Sequence, residues 1–219
     1  MKNYFNVLRQ CPLFQMIEDD HLLHLVKCLD AKIANFSKKE TIIYEGSHVK
    51  QIGILLSGSA QIIQMDYYGN RTILSTVEPS ELFAEAFACA DIPTIPVSVV
   101  ANEPCEVMLI DCKRLLTTCT VSCGFHHQLI YNLMKNLAMK TILFSQKLEI
   151  TSKRSTQDKL MTYLMIQAKK AQSDTFDIPF DRQELADFLE VDRSGLSAVI
   201  SKLKKEGILK CHRNHFELL

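Results

Sequence analysis

The sequence predicts an α+β protein: an N-terminal double-stranded β-roll, one long dimerisation helix, and a C-terminal winged helix-turn-helix. Three observations carry this. Short alternating apolar segments separated by turn signals crowd residues 31–110. A seam of apolar residues at 4,3,4,3,4 spacing runs through residues 122–150. Two short amphipathic patterns, residues 183–189 and 193–203, are joined by only Glu190-Val191-Asp192, which is helix-turn-helix spacing. The expected division is residues 1–120, 121–151 and 152–219.

A chain of 219 residues with 47% apolar composition can fill two modest cores. Its formal charge is zero, so any affinity for nucleic acid has to be local. Residues 153–219 hold 12 Lys+Arg against 10 Asp+Glu, a small excess of the right sign. No run is long and apolar enough to span a membrane, and MKNYFNVLRQ lacks the apolar core of a signal peptide, so the expected compartment is cytoplasmic. There the eight cysteines are not expected to form structural disulfides, and they include no CxxC pair. They read as small packed residues, with no metal site expected.

In chain order, residues 4–10 and 18–29 read as short helices around Pro12, the second with Leu22, Leu25, Val26 and Leu29 on one face. Strands are expected at 41–44, 51–56, 59–65, 71–76, 97–101 and 106–110, with the clearest hairpin tip at Tyr67-Tyr68-Gly69-Asn70. Residues 81–90, ELFAEAFACA, have helix-forming composition and interrupt the strand series before the stiff Ile92-Pro93-Thr94-Ile95-Pro96. Such an insertion either frames a ligand pocket or only closes the roll. Residues 111–120 and then 122–150 are helical again.

In the long helix the seam is Ile130, Met134, Leu137, Thr141, Phe144 and Leu148, with Leu129, Leu133 and Leu143 on an adjoining stripe. A seam plus a second stripe suits a helix that packs on its own β domain and on a second copy, so a parallel homodimer is expected. Ser155-Thr156-Gln157-Asp158 is a capping signal for a helix over 156–170, which makes 151–155 the expected hinge.

The C-terminal part is the most specific. Leu196, Val199, Ile200 and Leu203 recur at i, i+3, i+4 and i+7, so one face of that helix is buried. The opposite face carries Arg193, Ser194, Ser197, Ser201 and Lys202, groups suited to base edges and phosphates. Residues 208–219 read as a hairpin turning near Arg213-Asn214, a wing.

The whole chain, roughly residues 5–219, resembles the family of the cyclic-AMP receptor protein and the fumarate-nitrate reductase regulator (CRP/FNR). The resemblance rests on the order of β-roll, long helix and winged helix, and on CPLF at 11–14, ILLSGSAQI at 54–62, CEVMLID at 105–111 and RQELADFLEVDRSGLS at 182–197. It implies a cyclic-nucleotide-binding-like roll that senses an effector in residues 1–120, and a DNA-binding transcriptional regulator, not an enzyme. Its partners would be a second copy, twofold-symmetric double-stranded promoter DNA and RNA polymerase, with no membrane. DNA contacts would come from Arg182, Gln183, Arg193, Ser194, Ser197, Ser201, Lys202 and Arg213.

The departures from the family are informative. Cyclic-nucleotide binders use a Gly-Glu pair for the ribose and an Arg-Ser pair for the cyclic phosphate; those positions here are Ala84-Glu85 and Ile95-Pro96. Without the cation and hydroxyl, a buried phosphate keeps a desolvation cost of several kcal/mol. The surroundings are Phe83, Phe87, Ile95 and Val97, so the expected effector is a small organic molecule other than cyclic AMP, in a pocket of Phe83, Ala84, Glu85, Phe87, Ile95, Pro96 and Val97. No cofactor is expected. The cysteines lack the spacing of an iron-sulfur set. Haem through His21, His24, His126 or His127, a redox switch through Cys119 and Cys123, and an altered cyclic-nucleotide response stay as alternatives. A cupin-like enzyme needs ligands on neighbouring strands, where only His48 is present. In the reading helix Ala198 stands where the family often has a guanine-gripping Arg, and Glu190 where it commonly has Gly.

Overall fold

Alternation of apolar residues in short segments is satisfied by two antiparallel four-stranded sheets facing each other across a shared core. A computed structural model describes residues 4–68, 71–117 and 125–219 of the chain. The first unit, Met1–Met139, contains the roll; the second, Lys140–Leu219, contains the helix-turn-helix, and the division falls within the long helix.

The first unit begins with α1 (Phe5–Gln10), a 3₁₀ turn at Pro12–Phe14 and α2 (Asp19–Cys28). Leu8, Leu13, Phe14, Leu22, Leu25 and Val26 from these elements are buried in the roll core. The strands are β1 (Lys32–Phe36), β2 (Thr41–Ile43), β3 (Gln51–Ser57), β4 (Ala60–Met65), β5 (Arg71–Val77), β6 (Leu82–Phe83), β7 (Ser98–Ala101) and β8 (Cys105–Asp111). One sheet runs β1-β8-β3-β6 and the other β2-β7-β4-β5. Strand β3 is the central strand of the core, with Ile52 through Leu56 buried on both faces of the chain.

Two expectations need correction here. Lys32–Phe36 is a strand paired along its length with β8, a segment whose burial pattern alternates too weakly to stand out in the sequence. Residues 81–90 are not one helical turn: Leu82–Phe83 pair with Ile54 and Gly53 of β3, and only Glu85–Ala90 form a helix, α3. Pairing with a central strand outweighs the helix propensity of Leu, Phe and Ala. Asp111 likewise closes β8 and caps α4 (Cys112–Leu116) by accepting a bond from the Arg114 amide at 3.0 Å. The expected hairpin tip Gly69-Asn70 and the pair Cys119 and Cys123 lie outside the described residues.

Helix α5 (Phe125–Thr151) has Leu129 and Leu133 fully buried in the roll core. Of the seam residues, Ile130 and Leu137 are half-buried, while Met134, Thr141, Phe144 and Leu148 are exposed. Leu143 is exposed as well, although its sequence stripe groups it with Leu129 and Leu133.

In the second unit Ser155 caps α6 (Thr156–Ala171), its hydroxyl oxygen accepting from the Asp158 amide at 3.0 Å. Then follow β9 (Thr175–Asp177), α7 (Arg182–Leu189), α8 (Arg193–Lys205) and the hairpin β10 (Leu209–His212) and β11 (His215–Leu218). The wing is a three-stranded sheet, β10-β11-β9, because Phe176 pairs with Phe216. Its core joins Leu160, Leu164, Leu185, Leu189, Leu196, Ile200, Leu203, Leu209 and Phe216. No described helix is long and apolar enough to cross a membrane.

Candidate nucleic-acid interface and effector cassette

The reading helix is fixed by its ends. Asp181 accepts bonds from the amides of Gln183 and Glu184 at 2.7 and 2.8 Å, and Glu184 returns one from the Asp181 amide at 2.7 Å, a complete capping box on α7. The turn closes at Glu190, whose left-handed backbone (φ 55°) lets the Val191 amide reach the Ala186 carbonyl at 3.0 Å. Asp192 then caps α8 by accepting from the Gly195 amide at 2.8 Å and from the Ser194 hydroxyl. These bonds hold the Asp192 carboxyl below its ordinary range, the Ser194 hydroxyl being the main cause.

On the outward face Arg193 is exposed, and its guanidinium makes no hydrogen bond among the described residues. The serines do. Ser197 donates to the Arg193 carbonyl and Ser201 to the Ser197 carbonyl, each at 2.9 Å, so their hydroxyl protons point along the helix. With Ser194 donating to Asp192, all three present acceptor lone pairs outward, and Arg193 is the free donor.

A shallow groove of about 360 Å³ gathers Arg182, Ser197, Ser201, Lys204, His212 and Arg213 between the reading helix and the wing. Arg182 stands with its guanidinium 5.9 Å from the Phe216 ring centroid. Arg213 sits at the hairpin turn in a left-handed backbone, φ 56°. Gln183 is committed locally, donating to Asp187 at 2.9 Å, and Lys202 donates to Gln157 at 3.3 Å while lying 3.8 Å from Glu206. His212 and Cys211 line this groove although the sequence places neither in it; the signal was their place beside the Arg213-Asn214 turn.

The cassette in the roll has the opposite character. Phe83 lies so close over β3 that a Cβ on Gly53 would come within 2.2 Å of its ring. Ala84 follows in a left-handed backbone, φ 62°, and Glu85 is buried at the start of α3. Ile95 is tied to the neighbouring turn by bonds from its amide to the Ser47 carbonyl (3.1 Å) and to its carbonyl from the Gly46 amide (2.8 Å). Phe83, Ala84, Ile95 and Val97 belong to the roll core, Phe87 packs against it half-buried, and Pro96 is exposed. Among the described residues no cluster of His, Cys, Asp and Glu is arranged to hold a metal ion.

Comparison with known proteins agrees with this architecture. The chain is 20% identical over 184 residues to the cAMP-activated global transcriptional regulator CRP of Pasteurella multocida, covering 82% of this chain and 86% of that one. It is 25% identical over 162 residues, 74% of its length, to the potassium channel KOR2 of Oryza sativa, of which it spans only 21%. Among solved structures, a cysteine-to-serine form of CprK complexed with OCPA superposes with a TM-score of 0.62 at 17% identity, over 90% of this chain and 88% of the other. Residues 33–120 match the cyclic nucleotide-binding domain family and residues 158–219 the Crp-like helix-turn-helix domain. With both domains in this order on one chain, the protein belongs to the CRP/FNR family of DNA-binding transcription regulators.

Proposed function

We propose that the protein is a homodimeric regulator that binds twofold-symmetric promoter DNA and is switched by a small organic effector other than cyclic AMP, held at the cassette of Phe83 to Val97. The observation that carries the effector reading is Ile95: the position where a cyclic-nucleotide cassette needs a cation holds a buried aliphatic side chain, 2% exposed, next to a proline. Because Phe83, Ile95 and Val97 already fill the roll, an effector at this cassette displaces packed side chains. Binding is thereby coupled to repacking of the roll. A coupling of about 1 to 3 kcal/mol is enough for a switch.

The dimer reading is supported by the exposed apolar stripe of α5, on which Met134 is 65%, Phe144 73% and Leu148 59% exposed. Domains of 1–120, 121–151 and 152–219 follow from it, with 151–155 as the hinge about which the effector reorients two reading helices spaced one DNA turn, about 34 Å. Arg193 supplies base-edge donors and Ser194, Ser197 and Ser201 supply acceptors. Arg182, Gln183, Lys202 and Arg213 hold phosphates. RNA polymerase is the further partner and the cytoplasm the compartment.

Isothermal calorimetry with cyclic AMP and cyclic GMP tests the effector reading: no saturable heat is expected, and micromolar binding of either overturns it. A monomer in solution at micromolar concentration overturns the dimer.

A further inference from the structure

The sulfurs of Cys89 and Cys112 lie 3.6 Å apart. Cys89 is in the last turn of α3, and Cys112 opens α4 on the other side of the strand excursion through β7 and β8. The chain leaves α3 through Asp91 in a left-handed backbone, φ 49°, which turns it away and leaves the helix end against α4. Cys112 is buried and Cys89 half-buried. A cavity of about 120 Å³ reaches both thiols and is lined also by Lys50, Asp91 and Lys113. That space admits a molecule of a few heavy atoms. The Asp91 carboxylate at the cavity wall is engaged by His48 at 3.0 Å.

We propose that Cys89 and Cys112 are a peroxide-responsive dithiol, which a hydroperoxide converts to an intramolecular disulfide tying the end of α3 to the start of α4. The Cys89 thiolate attacks one peroxide oxygen; the S–O bond forms as the O–O bond breaks, and the departing oxygen takes a proton from solvent. The Cys112 sulfur then attacks the Cys89 sulfenic sulfur. The S–S bond forms, the S–O bond breaks, and the hydroxyl leaves as water with the Cys112 proton. The two thiols lose two electrons and the peroxide gains them; a small thiol reverses the change.

The division of roles follows from exposure. Cys89 faces the cavity and is the attacking thiol. Cys112 has its pKa pushed up to about 12, first by burial and then by the hydrogen bond and charge of Cys89, so it stays protonated and waits as the resolving thiol. Closing from 3.6 Å to a bond of about 2.05 Å moves the sulfurs together by about 1.5 Å, within the reach of side-chain rotation. Since α3 starts at Glu85, the cross-link restrains the cassette from its far end. That consequence rests on the effector reading above; the disulfide itself does not.

The test is thiol mapping on the full chain: near-stoichiometric hydrogen peroxide, alkylation with N-ethylmaleimide, and peptide mass spectrometry. The wild type is expected to lose two free thiols and yield a Cys89–Cys112 linked peptide that dithiothreitol releases. In Cys112→Ser, Cys89 accumulates as a sulfenic acid captured by dimedone; in Cys89→Ser, Cys112 stays unoxidised. The proposal is overturned if Cys89 and Cys112 remain alkylatable while other cysteines oxidise, or if either links to a different cysteine. The mapping is read by mass alone, so failure of the DNA or effector readings leaves its outcome intact.

Discussion

The effector cassette and the reading turn each place a side-chain-bearing residue in a left-handed backbone, a conformation that favours glycine, Ala84 at φ 62° and Glu190 at φ 55°. Their surroundings differ. Ala84 is buried in the roll core between the Gly53–Phe83 pair and the first turn of α3. Glu190 is exposed, its carboxylate paired with Lys147 at 3.6 Å at the surface and its amide bonding the Asp187 carbonyl at 3.1 Å. In both places the neighbouring elements impose the backbone and the residue bears a strain of about 1 kcal/mol. At the cassette a change in side chain moves a packed core. At the turn it moves only a surface group, and the reading helix keeps its orientation.

The largest expected effect breaks the buried side of this contrast. Phe83→Ala removes the ring that covers Gly53 and is expected to destabilise the roll by about 3 to 5 kcal/mol, seen as an early thermal transition. On the exposed side, Arg193→Ala is expected to leave folding stability within about 0.5 kcal/mol of wild type. It should instead weaken discrimination among promoter variants by about 1 to 3 kcal/mol in binding titrations. Unchanged affinity and preference would remove Arg193 from the reading surface.

Smaller effects sharpen the comparison at the two left-handed positions. Glu190→Gly relieves strain with little packing lost and should stabilise the second unit by about 1 kcal/mol in denaturant melts. Ala84→Gly relieves the same strain but deletes a buried methyl worth about 0.8 kcal/mol, so its net change is expected near zero. A large gain at Ala84 would show that the core tolerates the loss and that the two sites are alike.

The smallest effect is a pH dependence. Asp192 has a folded pKa below its unfolded value, through the Ser194 hydroxyl and the Gly195 amide. The stability it contributes is therefore complete above the ordinary carboxylate range and is lost as pH falls through the lower folded value. The stability gap between wild type and Asp192→Asn should be constant at neutral pH and narrow in acid; a gap that widens in acid contradicts the assigned bonds.

The reading unit was largely legible because its signals are local. The Glu190-Val191-Asp192 turn and the i, i+3, i+4, i+7 stripe of Leu196 to Leu203 specify a helix boundary and a buried face within a few residues of each other. The roll was legible only in outline. Lys32–Phe36 and Leu82–Phe83 become strands by pairing with β8 and β3, far away in sequence, so nothing in their own composition announces it. The sequence by itself determined the order of roll, long helix and winged helix, the absence of a cation at Ile95, and the buried face of the reading helix, since these depend on residue identity and near spacing. Only the tertiary structure decided that Phe83, Ile95 and Val97 fill the roll core, that His212 joins the reading groove, and that Cys89 meets Cys112. Each of these is a distance between segments that no local pattern encodes.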